Sequence, residues 1–288
     1  QIYLYGFSRG AFTARSIAGL VAQFGLLRPE NQALLPTLLH TYFADRRESQ
    51  RYRDVTAQVS ALFCSPDRRE VPVWFVGVWD TVASVGFPML SQQTITARPS
   101  IAGKRYHHVR QALALDEHRR AFEPRPYIIE PGHDYAAHGQ SIAQAWFSGS
   151  HGDVGGGYPH AEAGLCDDAL RWMLQESIAC GLRIDPALLN PRGELDDRAL
   201  AERLALRSLC PRTEGADTAA APCRQLHSET YDTPWWALAG LKLRDPTLNP
   251  DWNRLDDPVQ PVEHPSVGQQ PLQFAADTSW SRRRALGP

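Results

Sequence analysis

The sequence predicts an α/β fold, in which a mostly parallel β-sheet is flanked by helices. A short apolar run, Ile2–Tyr5, has the composition of a buried strand and comes directly before a helical pattern over Ala11–Phe24. The segment Val71–Trp79 is apolar at both odd and even positions, as expected of a strand buried on both faces of a parallel sheet. A further short strand over Ala145–Ser148 precedes another helix, so strands and helices alternate along the chain.

The first predicted helix has an apolar face and a clear end. Its apolar residues fall at helical spacing: Ile17, Leu20, Val21 and Phe24. Gly25 is a typical residue for the C-terminal stop of such a helix. Residues 28–70 are predicted to be helical and polar, with an arginine-rich stretch on a solvated face.

The second half of the predicted core contains two more helices and a loop. We predict a helix over His107–Phe122 and a glycine-rich loop over Gly149–Tyr158. A helix capped by Asp167 or Asp168 then runs to Gly181. Beyond about residue 183 the signals weaken. We therefore divide the chain into a catalytic core, 1–183, and a C-terminal part of the same domain or a lid-like extension, 184–288.

Composition excludes several classes of protein. The apolar share of 43% supports a substantial core, and a net charge of -2 argues against nucleic-acid binding through bulk charge. The five cysteines form no CxxC pair, so no metal site is predicted, although a bridge between Cys210 and Cys223 stays open. Neither a signal peptide nor a membrane-spanning apolar run is found. The chain starts at Gln1 without methionine and inside a strand, so we expect an upstream segment to have been lost.

The segment Gly6-Phe7-Ser8-Arg9-Gly10 has the G-x-S-x-G pattern of a nucleophile elbow. It lies between a predicted strand and a predicted helix, which is the context that the elbow requires. We expect a Cβ at either Gly6 or Gly10 to clash in so tight a turn. The backbone N–H of Arg9, at the start of the helix, is the expected oxyanion donor.

A nucleophilic serine needs a base and a group that orients the base. Asp80 ends the most apolar strand, where a buried carboxylate must be paired, and it is the predicted acid; a capping aspartate is the alternative. Among ten histidines, His151 follows a strand and opens a glycine-dense loop, so it is the predicted base, with a surface loop histidine as the alternative. In that loop Asp153 could orient the chain or bind a cation, and Gly155 and Gly156 would let substrate approach the backbone.

Four segments of the chain resemble a known family. They are GFSRGAFTAR at Gly6–Arg15, VWDTVASVG at Val78–Gly86, ALALDEHRRAF at Ala112–Phe122 and WFSGSHGDVGGGYPHAEAGLCDDALRWML at Trp146–Leu174. Weaker similarities follow at Leu226–Ser228, Trp235-Trp236 and Glu263–Val267. Together these segments resemble the DUF2235 α/β-hydrolases, which include the Tle1-type phospholipase effectors of bacterial type VI secretion.

The resemblance implies an α/β-hydrolase fold and a Ser-Asp-His triad at Ser8, Asp80 and His151. It implies hydrolysis of phospholipid acyl esters without a cofactor, at a membrane surface. It also implies secretion-spike and immunity proteins as partners, with passage from the bacterial cytoplasm to the target-cell periplasm. Family members begin with a strand upstream of the elbow that this sequence lacks. This difference favours the alternative of an inactive piece with a hydrolase fold. Trp235 and Trp236 could form a lid or belong to the core.

Two other functions remain open at this stage. One is a cytosolic esterase or thioesterase that acts on small acyl compounds. The other is an inactive piece with a hydrolase fold, serving as a binding module of a larger effector.

Overall fold

The computed structural model describes residues 1–43, 50–64, 72–82, 100–128, 130–158, 163–204, 225–227, 244, 262–263 and 273–274. Seven strands lie within these residues: β1 Ile2–Phe7, β2 Val73–Trp79, β3 Tyr106–Ala114, β4 Ser141–Phe147, β5 Gln225–Leu226, β6 Val262–Glu263 and β7 Gln273–Phe274. Five strands form one sheet in the order β1-β2-β3-β4-β6, and β5 pairs with β7. The pairs β1–β2, β4–β6 and β5–β7 are parallel. The predicted α/β class, with a mostly parallel sheet flanked by helices, is confirmed.

Six α-helices occur in the described part of the chain: α1 Arg9–Phe24, α2 Leu35–Phe43, α3 Gln50–Phe63, α4 His151–Gly155, α5 Cys166–Ala179 and α6 Asp197–Leu204. Short 3-10 turns cover Pro29–Leu34, Arg120–Phe122 and Pro186–Leu188. None of the described helices has the length and apolar character needed to span a bilayer.

Helix α1 follows β1 directly and packs on the sheet through small residues. Ala11, Ala14 and Ala18 belong to one buried cluster with β2 valines. The predicted apolar stripe is only partly correct, because Phe24 is buried whereas Ile17 is 43% exposed. Helix spacing identifies an amphipathic face, but alanines bring the helix closest to the sheet and therefore form its contact face.

The predicted helix over His107–Phe122 is wrong, because strand β3 covers Tyr106–Ala114. The buried positions of β3 include Val109 and Leu113, and its Gln111 donates a 3.1 Å hydrogen bond to Gln144 of β4. The sequence of β3 mixes polar and apolar residues without a clear period, and it is buried at most positions on both faces. Pairing with the neighbouring strands of the sheet therefore decided that this segment is a strand.

The segment Gly149–Tyr158, predicted as a loop, contains the short helix α4. A capping box explains it: the Ser150 side chain accepts from the Asp153 N–H, and the Asp153 carboxylate accepts from the Ser150 N–H. The next predicted helix agrees with α5, but its predicted cap is wrong. The helix already begins at Cys166, so Asp167 and Asp168 lie inside its first turn, and the residue at the cap position, Leu165, makes no side-chain capping hydrogen bond. Gly181 lies just beyond its end at φ 90°, as a C-terminal stop requires.

The chain divides into two compact units, neither of which is a single stretch. The first contains Gln1–Arg110 and Arg125–Ala143, and the second contains Gln111–Pro124 and Gln144–Asp256. The boundary predicted after residue 183 stays a prediction. Trp235 with Trp236, and the bridge left open between Cys210 and Cys223, lie outside the described residues.

Candidate active site

Ser8 is the single residue between β1 and α1, and its backbone is strained. Its φ of 59° and ψ of -122° lie in a region that residues with a side chain rarely adopt. Its N–H donates to the Trp79 carbonyl at 3.0 Å, which ties the turn to the end of β2. The side chain makes no capping hydrogen bond to the helix. The sharp strand-to-helix turn predicted from the sequence is therefore present.

The two flanking glycines differ in what they allow. A Cβ at Gly6 would lie 2.3 Å from the Gly10 carbonyl oxygen and 2.8 Å from the Ala11 nitrogen, so Gly6 is required by the backbone itself. A Cβ at Gly10 would meet no atom within 4 Å. The expectation of a clash holds for Gly6 and is wrong for Gly10, because Gly10 lies on the outer side of the first helical turn. The N–H of Arg9, the first residue of α1, stays the predicted oxyanion donor.

Asp80 lies at the same sheet edge as Ser8. The parallel register of β1 and β2 places Phe7 opposite Trp79, so the residues that follow, Ser8 and Asp80, leave neighbouring strands together. Asp80 is fully buried and has a φ of 41°. Such a conformation at the end of a strand is costly and is typical of functional sites. Its role as the triad acid stays a prediction.

The second unit contains a buried pair that the sequence did not predict. The His227 Nδ1 lies 2.6 Å from the Asp153 Oδ1, and both residues are buried. Because a carboxylate only accepts, the nitrogen donates, which leaves the lone pair of a neutral imidazole on Nε2. The other carboxylate oxygen accepts the N–H groups of Ser150 at 2.9 Å and of His227 at 3.1 Å. This is the arrangement by which an acid fixes the tautomer of a catalytic base.

His151, the predicted base, is the first residue of α4 and is buried. Its N–H donates to a Glu117 carboxylate oxygen at 3.3 Å, and its ring meets Phe122 edge-on at 4.9 Å. His151 belongs to the second unit and Asp80 to the first. An acid–imidazole hydrogen bond joins Asp153 to His227 within the second unit.

The segment before α4 is held by two consecutive acidic residues. Asp116 accepts the Gly149 N–H at 2.7 Å and donates its own N–H to the Gly149 carbonyl at 2.9 Å. Glu117 forms a buried ion pair with Arg119, at 2.6 Å. Burial alone would raise the pKa of Glu117, but the hydrogen bonds and charge of Arg119, together with the charge of Arg244, lower that pKa below its usual value. A charged carboxylate therefore braces the start of α4.

The glycines of the segment bring Tyr158 back over α4. Gly155 ends the helix, and Gly156 adopts a φ of 84°, where glycine carries no steric penalty. The Gly157 N–H then donates to the Gly152 carbonyl at 2.8 Å. These glycines shape the chain, and their predicted contact with substrate stays a prediction.

Two other chemistries can be assessed for the described residues. No group of three or more His, Cys, Asp or Glu side chains there is placed to hold a metal ion. The alternative of a cation at Asp153 does not fit, because its carboxylate oxygens face N–H donors. Burial, and then the charge of Asp167, raise the pKa of the Cys166 thiol to about 12, which keeps it protonated and makes it a poor nucleophile.

His227 was missed because it has no local signal beyond a weak family similarity at Leu226–Ser228. Asp153 was identified as a polar group of the loop, but its partner lies 74 residues further along the chain. The order Ser, Asp, His along the chain, which the fold requires, could have directed the search to histidines after Asp153.

Comparison with known proteins gives three results. The family model described as "T6SS, Phospholipase effector Tle1-like, catalytic domain" matches residues 1–176. An uncharacterized protein of Saccharomyces cerevisiae, YEL023C, is 34% identical over 137 residues, which cover 44% of this chain and 19% of the yeast protein. A solved structure of the Tle1 effector bound to the VgrG spike from the type 6 secretion system is 21% identical, with a TM-score of 0.30. That match covers 55% of this chain and 25% of the other. This chain therefore spans about a fifth of the curated relative and a quarter of the solved one.

Proposed function

The chain belongs to the family of Tle1-like catalytic domains of type VI secretion phospholipase effectors, and on that premise we propose that it hydrolyses phospholipid acyl esters through Ser8. The observation that carries the proposal is the strained backbone of Ser8 in a G-x-S-x-G turn between strand and helix. Strain of this kind is maintained where it presents a reactive group.

We propose His227 as the base and Asp153 as the residue that orients it. Their 2.6 Å hydrogen bond, their burial and the chain order Ser8, Asp153, His227 support this assignment. Activity measurements on variants of these residues test the assignment of His227 as the base and Asp153 as its orienting acid. The combination of Asp80 with His151 is the alternative triad, supported by the position of Asp80 at the sheet edge of Ser8.

The proposed reaction has two halves. His227 Nε2 takes the proton of the Ser8 hydroxyl as its oxygen attacks the acyl carbonyl, and the N–H of Arg9 stabilises the oxyanion. The imidazolium then returns the proton to the leaving lysophospholipid oxygen, which leaves an acyl-serine. Water, deprotonated by the same imidazole, attacks this ester; the proton returns to Ser8 and the fatty acid is released.

The test of the nucleophile is covalent labelling by a fluorophosphonate, with peptide mass spectrometry to locate the label. We expect the label on Ser8 in the wild type and none in Ser8→Ala. A labelled Ser8→Ala protein, or a label elsewhere on the wild type, would contradict the proposal. The reagent needs no lipid, so it separates the nucleophile from the substrate class.

The test of the substrate class compares fatty-acid release from phosphatidylcholine–detergent micelles with hydrolysis of short p-nitrophenyl esters. Higher kcat/KM on the phospholipid supports the proposal. Activity on short esters alone indicates the small-acyl esterase alternative, and no activity on either indicates a binding module. The variants His227→Ala, His151→Ala and Asp80→Asn then assign the triad, with His138→Ala, at an exposed histidine of the first unit, as a matched control.

Secretion is the second part of the proposal. The family description names type VI effectors, so we propose that this protein is delivered by a secretion spike. Co-purification with a spike protein from the same source tests it, and a spike that leaves the protein unbound at micromolar concentration would count against delivery by that route. An immunity protein that covers the site is tested by inhibition of the ester hydrolysis.

A further inference from the structure

Tyr158 lies face to face with the His227 imidazole. The ring centroids are 3.6 Å apart and the planes differ by 15°, which is close parallel stacking. His227 is buried, and Tyr158 is half-buried beside it. The hydrogen bond to Asp153 acts within the plane of the imidazole, whereas the tyrosine acts on its face.

The backbone leading to Tyr158 is shaped for this contact. After α4, the hydrogen bond from the Gly157 N–H to the Gly152 carbonyl folds the chain back on the helix. A Cβ at Gly152 would lie 2.8 Å from the Tyr158 Cε2, so only glycine there leaves room for the ring. The ring of Tyr158 is thus placed by contacts with both Gly152 and His227.

We propose that Tyr158 is a positioning residue that holds the plane of the His227 imidazole. This proposal rests on the base role proposed for His227. The hydrogen bond to Asp153 fixes the direction of Nδ1 but leaves the ring able to tilt about that bond. The flat face of Tyr158 removes this tilt, so that Nε2 keeps one direction. The tyrosine ring, rather than its hydroxyl, supplies the effect.

Two substitutions separate the effect of the flat ring from the effects of the hydroxyl group and of apolar volume. Tyr158→Phe keeps the stacking surface, whereas Tyr158→Leu keeps apolar volume without a flat face. We expect the leucine variant to lose about 10- to 100-fold in kcat, the range in which small misplacements of reacting groups fall, with KM changed less than about 2-fold. The phenylalanine variant should keep wild-type kcat. Equal losses in both variants, or none in either, would overturn the proposal.

A matched control is Tyr135→Leu, which removes a tyrosine that meets the ring of His133 edge-on at 4.6 Å in the first unit. It should keep the wild-type kcat. If Tyr158→Leu does not fold, Tyr158→Met replaces it, because the flexible thioether fills the same space without a flat face.

A measurement that does not depend on turnover distinguishes the positioning role of Tyr158 from the base role of His227. Long-range ¹H–¹⁵N spectra report the tautomer and ring environment of His227. We expect one tautomer in the wild type and in Tyr158→Phe, and shifted, broadened signals in Tyr158→Leu. Unchanged His227 signals in Tyr158→Leu refute the positioning role, even in an inactive protein. If His227→Ala keeps full activity while those signals do respond to Tyr158→Leu, the base assignment fails and the stacking role stands.

Discussion

Replacing Asp153 with asparagine tests the proposed base and its orienting acid together. One carboxylate oxygen accepts two backbone N–H groups, from Ser150 and His227, and the other accepts His227 Nδ1 at 2.6 Å. An asparagine keeps the shape but has a single acceptor. The two backbone donors will hold its oxygen, so its NH₂ group faces His227 Nδ1 and forces that nitrogen to accept. The proton then resides on Nε2, which loses its ability to act as the base.

The size of both effects follows from these contacts. A wrong tautomer lowers kcat by about 10⁴-fold, or about 5 kcal/mol in activation free energy. The three charge-assisted hydrogen bonds of the carboxylate become neutral ones, which costs roughly 1 kcal/mol each, so the free energy of unfolding should fall by about 3 kcal/mol. The variant should therefore stay folded and be almost inactive.

The assay is fatty-acid release under saturating substrate, with chemical denaturation on the same preparation. Asp185→Asn is a matched control, because Asp185 is an exposed aspartate that also accepts a backbone N–H, from Ala187 at 2.9 Å. It should keep wild-type kcat. A wrong tautomer should lower kcat by far more than about tenfold. If Asp153→Asn keeps more than about a tenth of the wild-type kcat, Asp153 does not orient the base. A large loss in Asp80→Asn instead would favour the alternative triad.

Three further predictions concern the elbow and its surroundings. Both Ser8→Ala and Ser8→Gly should be inactive, but the free energy of unfolding of the glycine variant should exceed that of the alanine variant by about 1 kcal/mol, because glycine adopts the positive φ without strain. Equal denaturation midpoints for the two variants would mean that the turn is not strained. Gly6→Ala should prevent native folding or cost more than about 3 kcal/mol, whereas Gly10→Ala should stabilise α1 by about 0.5–1 kcal/mol, as thermal unfolding measures; equal effects would contradict the elbow geometry. Glu117→Gln leaves Arg119 buried without its carboxylate, so it should cost about 3–5 kcal/mol at pH 7. Because folding lowers the pKa of Glu117, its contribution is complete above the unfolded value, roughly 4.3, and is lost as the pH falls through the folded value. Chemical denaturation should show that the difference in the free energy of unfolding between Glu117→Gln and wild type is smaller below about pH 4 than at pH 7. The same difference at both pH values would refute the role of the charged Glu117 carboxylate.

Local chemistry made much of the fold predictable. The apolar strand at Val73–Trp79 and the helix after Ser8 were found close to their predicted bounds, because composition and period act over a few residues. The failure at Tyr106–Ala114 has a different cause. Its residues are compatible with helix or strand, and pairing with the neighbouring strands of the sheet decided between them.

The helix within Gly149–Tyr158 shows a second limit. Many glycines normally predict a loop, and here a capping box between Ser150 and Asp153 stabilises one helical turn among them. The box is present in the sequence as serine followed three residues later by an acid, so a closer inspection of the pattern could have found it.

The sequence by itself determined where the nucleophile turn lies. The steric constraints at Gly6 and Ser8 involve only the residues from the end of β1 to the first turn of α1. A short sequence motif is therefore enough to specify this turn. Only the tertiary structure decided which histidine Asp153 binds. His227 lies 74 residues away, and no local pattern separates it from nine other histidines. Hydrogen bonding between distant side chains depends on how the whole chain folds, and the bound Asp153–His227 pair is a product of that folding.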